Sequence, residues 1–140
     1  MYTIEEFEMQ KTKVFKYIMF KKRTENEIRN KFSTQIEEEM LEDIIEYLKE
    51  AGYINDYNYI ERQVKEYINL KNMSIQEIKY KLATKGLDRK LVERYIQENK
   101  EELEENERKS AENIKIKKSS QMDEQEIKQY LYKKGYKVKD

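Results

Sequence analysis

The chain contains no cysteine, no histidine and no proline, and only three glycines in 140 residues. Without cysteine there are no disulfides and no thiolate chemistry, which fits a reducing compartment. Without histidine the commonest general base and a favoured metal ligand are gone. With no proline and almost no glycine, little interrupts long helices. No apolar run approaches the ~20 residues of a membrane span, and the opening MYTIEEFEMQ is acidic, unlike a secretion signal. There is no HExxH pair, no phosphate-binding glycine loop and no GxGxxG. The carboxylates Glu37–Glu39 are consecutive, and Glu101, Glu102, Glu104 and Glu105 cluster. Consecutive residues fan around a helix instead of converging, so both groups read as solvated faces. These absences predict a soluble cytoplasmic helical protein, with no catalytic residues, no metal, no cofactor and no membrane contact.

Charge is what the chain has in excess. Charged residues make up 41% of it and hydrophobic ones 37%, with twenty-nine bases balancing twenty-nine acids. The core must be thin, but regular apolar spacing argues against disorder. The zero net charge conceals blocks: +6 over residues 11–31, −8 over 32–61, +5 over 62–96, −4 over 97–112 and +4 from 113 onward, after −3 in the first ten. Such alternation either steers the chain toward a patterned partner or lets neighbouring helices neutralise one another.

The glycines Gly52, Gly86 and Gly135 each follow a run of helix formers and precede a large apolar residue, Tyr53, Leu87 or Tyr136. That pattern predicts a helix ended by a left-handed glycine, with the next residue folding back on the last turn. In GYIND, Gly52 stops one helix, Tyr53 packs into the joint, and Asn55 or Asp56 caps the next. The role expected of this segment is architectural.

An internal repeat organises the chain. TENEIRNKF from Thr24, SIQEIKYKL from Ser74 and DEQEIKQYL from Asp123 align at offsets of 50 and 49 residues. Each places Thr, Ser or Asp three residues before Glu27, Glu77 or Glu126, a capping-box pattern. Ile28, Ile78 and Ile127, each with an apolar residue four positions on (Phe32, Leu82, Leu131), set one buried face. A second helix repeats as well, with Ile36, Met40, Leu41, Ile44 and Ile45 matching Leu87, Leu91, Val92, Tyr95 and Ile96 across a one-residue gap. A third helix begins near Asp56 with the stripe Tyr59, Ile60, Val64, Tyr67 and Ile68. Thr3 and Glu6 make another capping box ahead of Phe7, Val14 and Ile18. Residues 97–118 have helical propensity but few apolar anchors, which predicts a long, partly detached helix or linker. Residues 117–123 are the best linker candidate. The expected fold is all-α: tandem three-helix repeats forming an elongated curved array, the third repeat incomplete. Its divisions are a leading helix at 1–22, unit one at 23–72, unit two at 73–118 and a partial unit three at 119–140.

For binding, the first helix of each unit carries bases on its polar side: Arg29 and Lys31, then Lys79, Lys81 and Lys85, then Lys128, Lys133 and Lys134. Any one lysine is most simply a solubilising group, but repetition at one phase predicts a basic stripe suited to phosphates or an acidic groove. Twelve tyrosines invite base stacking. Tyr47, Tyr53, Tyr67 and Tyr95 fall at apolar helical phases, however, and read as half-buried packing with the hydroxyl at the surface.

The order YIMFKKRTENEIRNKF, IIEYLKEAGYINDYNYIERQV and SIQEIKYKLATKGLDRKLVERYI resembles the RecX regulatory protein family of bacteria. The residues that carry the likeness are Arg23, Thr24, Glu27 and Ile28; Gly52, Tyr53, Ile54, Asn55, Asp56 and Tyr59; and Ile78, Leu82, Lys85, Gly86 and Leu87. Leu131 to Tyr136 resemble the family's last repeat, so the likeness covers roughly residues 14–136. Asn72 and Met73 stand where the family usually has a glycine, and unit one lacks the glycine of its first joint. The resemblance implies a non-catalytic, monomeric modulator of the RecA recombinase in DNA repair, recombination and the SOS response. Such a protein enters the groove of the RecA–single-stranded-DNA filament and lowers RecA activity. The first-helix bases would bind the filament, with a weak contribution from single-stranded DNA. Gly52, Tyr53, Asp56, Gly86 and Gly135 would shape the array. A competing expectation is a helical module acting directly on DNA, since capped helix pairs resemble helix-turn-helix units. Zero net charge predicts weak affinity for bare DNA at physiological salt. A passive helical adaptor is a third.

Overall fold

A computed structural model describes residues 1–137, and residues 138–140, the end of the expected partial third unit, lie outside the described part. The described chain is all-α. Its helices are α1 (Ile4–Phe20), α2 (Glu25–Phe32), α3 (Glu38–Glu50), α4 (Asp56–Leu70), α5 (Ile75–Thr84), α6 (Arg89–Glu98), α7 (Lys100–Lys118) and α8 (Glu124–Lys133). No helix among the described residues is long and apolar enough to cross a membrane.

The helix starts follow from local chemistry. Thr24 Oγ1 accepts from the Glu27 N–H at 3.0 Å while Glu27 reaches back to the Thr24 N–H, closing a capping box. Ser74 with Glu77 and Asp123 with Glu126 do the same at α5 and α8. At α1, Thr3 Oγ1 accepts from the Glu6 N–H at 3.1 Å. Each cap satisfies N–H groups that the first turn leaves orphaned, worth about 1 kcal/mol. The stops follow the glycines, at φ +83° for Gly52, +74° for Gly86 and +90° for Gly135. After α3, the N–H of Gly52 donates to Lys49 O and that of Tyr53 to Leu48 O, and Gly135 and Tyr136 repeat this at Tyr132 and Leu131. Both are Schellman motifs.

Two compact units result. The first comprises Met1–Tyr59 and Lys85–Leu87. Here α1, α2 and α3 pack mutually around Val14, Ile28, Phe32, Ile44, Ile45 and Leu48, with Phe7, Phe15 and Tyr17 at its border. Tyr53 is half-exposed and sets its ring edge-on to Phe15, centroids 4.9 Å apart. Tyr47 is similarly half-exposed, whereas Tyr67 and Tyr95 are buried more deeply than half-buried packing implies.

The second unit comprises Ile60–Thr84 and the chain from Asp88 onward. There α5, α6 and α7 pack against one another, and α7 also holds α8. This corrects the expectation of a partly detached segment at 97–118. Leu103, Glu107, Ser110 and Ile114 recur at helical spacing and all are buried. Two of the four are polar, which hid the stripe. They tolerate burial because each is hydrogen-bonded. Glu107 Oε1 accepts from the Ile75 N–H at 3.0 Å, and Ser110 Oγ lies 2.7 Å from the Tyr136 hydroxyl. The first contact caps α5 from outside its own sequence. Asp56 does the same for α2, accepting from the Glu25 N–H at 3.0 Å. The α4 cap itself is Asn55, whose Oδ1 accepts from the Asn58 N–H. Asp56 is therefore free to serve α2, and burial pushes its carboxyl upward against the lowering effect of that N–H.

Candidate partner-binding surface

The eight bases singled out in the sequence occupy different environments. Arg29 is held inside the first unit: its guanidinium forks onto the Glu42 carboxylate, with Nη2–Oε2 at 3.1 Å, and its Nε reaches Glu25 at 3.1 Å. Lys49 closes the network on Glu25 at 3.1 Å. The hydrogen bonds from Arg29 hold the Glu42 carboxyl below the usual range, and the bond to Glu25 raises Lys49. A bidentate arginine of this kind fixes geometry, here α2 against α3. Lys31 is exposed, with Nζ 5.7 Å from the Tyr17 ring centroid. The same ring carries the Arg23 guanidinium at 4.0 Å.

Lys85 Nζ stands 6.0 Å over the Tyr59 ring, and the adjoining glycine comes close to α2. A Cβ on Gly86 would lie 2.8 Å from Asn26 Cγ, in the first turn of α2. The second unit repeats the arrangement: a Cβ on Gly135 would lie 2.6 Å from Gln76 Cβ, in the first turn of α5. The Ser74 hydroxyl also donates to Lys134 O, and Lys134 Nζ pairs with Glu77 Oε2 at 3.6 Å. Thus each Lys-Gly turn lies close against the first turn of a capped helix, Gly86 on α2 and Gly135 on α5, and the Lys134–Gly135 turn contacts the buried Ser74 cap directly. Gly52 meets nothing within 4 Å and is needed only for its positive φ. Gly86 and Gly135 thus have a packing role besides stopping helices.

Lys79, Lys81 and Lys133 make no ion pair among the described residues, and Lys81 and Lys133 are exposed. Lys128 likewise makes none, and it lines a groove between α7 and α8. Among the described residues no group of three or more acidic or metal-ligating side chains converges as a metal site. Helix faces of this all-α scaffold thus carry several lysines, Lys79, Lys81, Lys128 and Lys133, that no described ion pair occupies.

No family model matches the chain. Among curated proteins it is 37% identical over 83 residues to Regulatory protein RecX of Finegoldia magna, covering 59% of this chain and 40% of that protein. It is 34% identical over 82 residues to Regulatory protein RecX of Streptococcus agalactiae, covering 58% of this chain and 32% of the relative. The chain thus spans a third to two fifths of the length of these relatives. Its fold matches the crystal structure of RecX from Lactobacillus salivarius with a TM-score of 0.80 at 24% identity, covering 97% of this chain and 92% of that one. A second crystal structure of regulatory protein RecX gives a TM-score of 0.74 at 23% identity, over 92% of this chain and 69% of that one. The chain is thus similar to regulatory proteins RecX, in sequence over about three fifths of its length and in fold over nearly all of it.

Proposed function

We propose that the chain is a non-catalytic regulator that binds the RecA–single-stranded-DNA filament in the cytoplasm and lowers RecA's ATPase and recombinase activities. The observation that carries this reading is the similarity to relatives named Regulatory protein RecX. The order of the RT-x-x-E-I, GYIND and KGL segments along the chain agrees with it. In this reading the first-helix bases are the contacts. Lys79, Lys81 and Lys133 lead, because neither a described ion pair nor a ring or groove engages them, unlike Lys31 and Lys85 beside tyrosine rings and Lys128 in its groove. Lys31, Lys85, Lys128 and Lys134 support them, and Arg29 contributes through the α2 surface it orders. Partner binding through such charges strengthens as salt falls.

The test is the single-stranded-DNA-dependent ATPase rate of RecA titrated with this protein, with binding to bare DNA followed at the same salt. Inhibition below one copy per RecA protomer, with little DNA binding, is the expected result. Salt-sensitive DNA binding with no effect on RecA would sink the proposal in favour of a direct DNA-binding module. Replacing Lys79, Lys81 and Lys85 together by Glu is predicted to weaken inhibition at least about tenfold at unchanged helical circular dichroism. A parallel loss of helicity would show that these lysines serve the fold.

A further inference from the structure

Tyr17, in the last turn of α1, carries two cations on one ring. The Arg23 guanidinium lies 4.0 Å from the ring centroid and Lys31 Nζ 5.7 Å from it. Phe32 sets its own ring edge-on to Tyr17, centroids 5.5 Å apart, which holds the platform in place. All four residues belong to the first unit. The one acid paired with either cation among the described residues is Glu27, whose Oε2 lies a long 3.7 Å from Arg23 Nη1. Its other oxygen is engaged by the Thr24 N–H and hydroxyl. Lys31 is exposed and makes no ion pair among the described residues, although Glu27 stands four positions before it.

Arg23 is the unusual member of this group. Its side chain is only 15% exposed, and its Nε is buried without an acceptor. An aromatic ring attracts the charge but supplies no oxygen to the five N–H donors of a guanidinium. A largely desolvated guanidinium with so few acceptors, and a second cation on the same ring, call for an oxyanion. The surroundings agree, since residues 9–24 contain six bases and no acid.

We infer that Arg23 and Lys31 form a phosphate-binding site where α1 meets α2, with Tyr17 as the platform that positions both cations. The Nη groups of Arg23 and the Lys31 ammonium donate to the phosphate oxygens. Lys21 and Lys22, both exposed, directly precede Arg23 and strengthen the local positive potential. A free phosphate ion and the backbone of a nucleic-acid strand present the same oxygens to such a site. The inference stands apart from the RecA reading, because its test contains no RecA.

The experiment follows the amide and arginine Nε–H signals of the isotope-labelled full chain by NMR as inorganic phosphate replaces chloride at constant ionic strength and neutral pH. Saturable shifts centred on residues 17–31 are expected. Arg23→Lys, which keeps the charge and loses the planar fork, should weaken phosphate binding about fivefold, and Lys31→Gln about threefold. Lys31 is exposed, so its variant decides the matter if Arg23→Lys does not fold. A single-stranded oligothymidylate separates the two sources. If it produces the same shifts at far lower concentration, the site takes the phosphates of a strand. If it leaves them unmoved while inorganic phosphate saturates, the site takes a free phosphate. Absence of saturable shifts, or shifts spread evenly over the lysines of the chain, overturns the inference. So does a phosphate affinity that Lys31→Gln leaves unchanged.

Discussion

Helices α2 and α8 start from the same chemistry and finish in different surroundings. Both open with a capping box, both carry an acid at the first helical position and a base four residues later, and both set an isoleucine and a second apolar residue on one face. In α2 the isoleucine is fully buried, the acid and base clamp α3, and Asp56 caps the first N–H. In α8 the isoleucine borders a groove and the acid and base stand without ion-pair partners among the described residues. The capping box and the i, i+4 apolar pair thus set a helix and its register but leave open what covers it. The same frame can serve as closed core in one place and border an open groove in another.

The comparison can be broken most directly in the apolar pair. We predict that Ile28→Ala costs about 3–4 kcal/mol in urea unfolding, whereas Ile127→Ala costs about 1–2 because its side chain already borders open space. Equal costs would mean that α8 is as thoroughly covered as α2. The glycine turns give the next largest effects. Gly135→Ala should cost about 2–3 kcal/mol, since left-handed strain combines with a clash against Gln76 Cβ, an atom that cannot swing away. Gly86→Ala should cost less, because it meets the movable end of the Asn26 side chain, and Gly52→Ala about 1 kcal/mol from strain alone. A different ranking would refute the close packing of the Gly86 and Gly135 turns against the first turns of α2 and α5.

Tyr136 offers a smaller test. Its burial pushes the phenol up to about 12, with the Ser110 hydrogen bond partly opposing. A raised folded value means its stabilisation is intact below the ordinary tyrosine range near ~10 and is lost as pH rises toward about 12. Tyr136→Phe should flatten that alkaline loss while costing about 1–2 kcal/mol at neutral pH, because Ser110 is left unpaired in a buried position. An unchanged alkaline profile in the variant would remove Tyr136 as the cause. The smallest effect expected is at the charges. Arg29→Gln should cost about 0.5–1 kcal/mol and Lys128→Gln about zero, since the Glu42 carboxylate is half-exposed and screened. Glu42 is held below its ordinary range, so its contribution is present at neutral pH and fades as pH falls through the lowered value. Acid titrations of wild type and Arg29→Gln that superimpose would deny the pair any role.

Most of the helix boundaries and the apolar faces were legible in the sequence because their causes are local. A hydroxyl three residues before a glutamate caps a turn, a glycine adopts a positive φ, and isoleucine with leucine at i, i+4 makes a face. Even the third helix of unit one was legible from the stripe of Ile60, Val64 and Tyr67. The stripe of α7 was not, because Glu107 and Ser110 look like solvated residues until their partners are known. An available clue was the offset from Asp56 to Glu107, 51 residues, close to the repeat spacing. The eight candidate bases were visible as a set, but not that Arg29 is committed to Glu42 while Lys128 lies along a groove.

The sequence by itself therefore determined the all-α class, the repeat, the caps and the glycine stops, all of which depend on neighbours within a few residues. Only the tertiary structure decided which polar groups could be buried, which glycines must yield to a neighbouring turn, and which of two equivalent acid–base pairs is occupied. Those outcomes depend on contacts between residues thirteen to sixty positions apart, from Arg29 with Glu42 to Ser74 with Lys134. No local periodicity encodes such contacts, because the energy that fixes them is realised only when the helices meet.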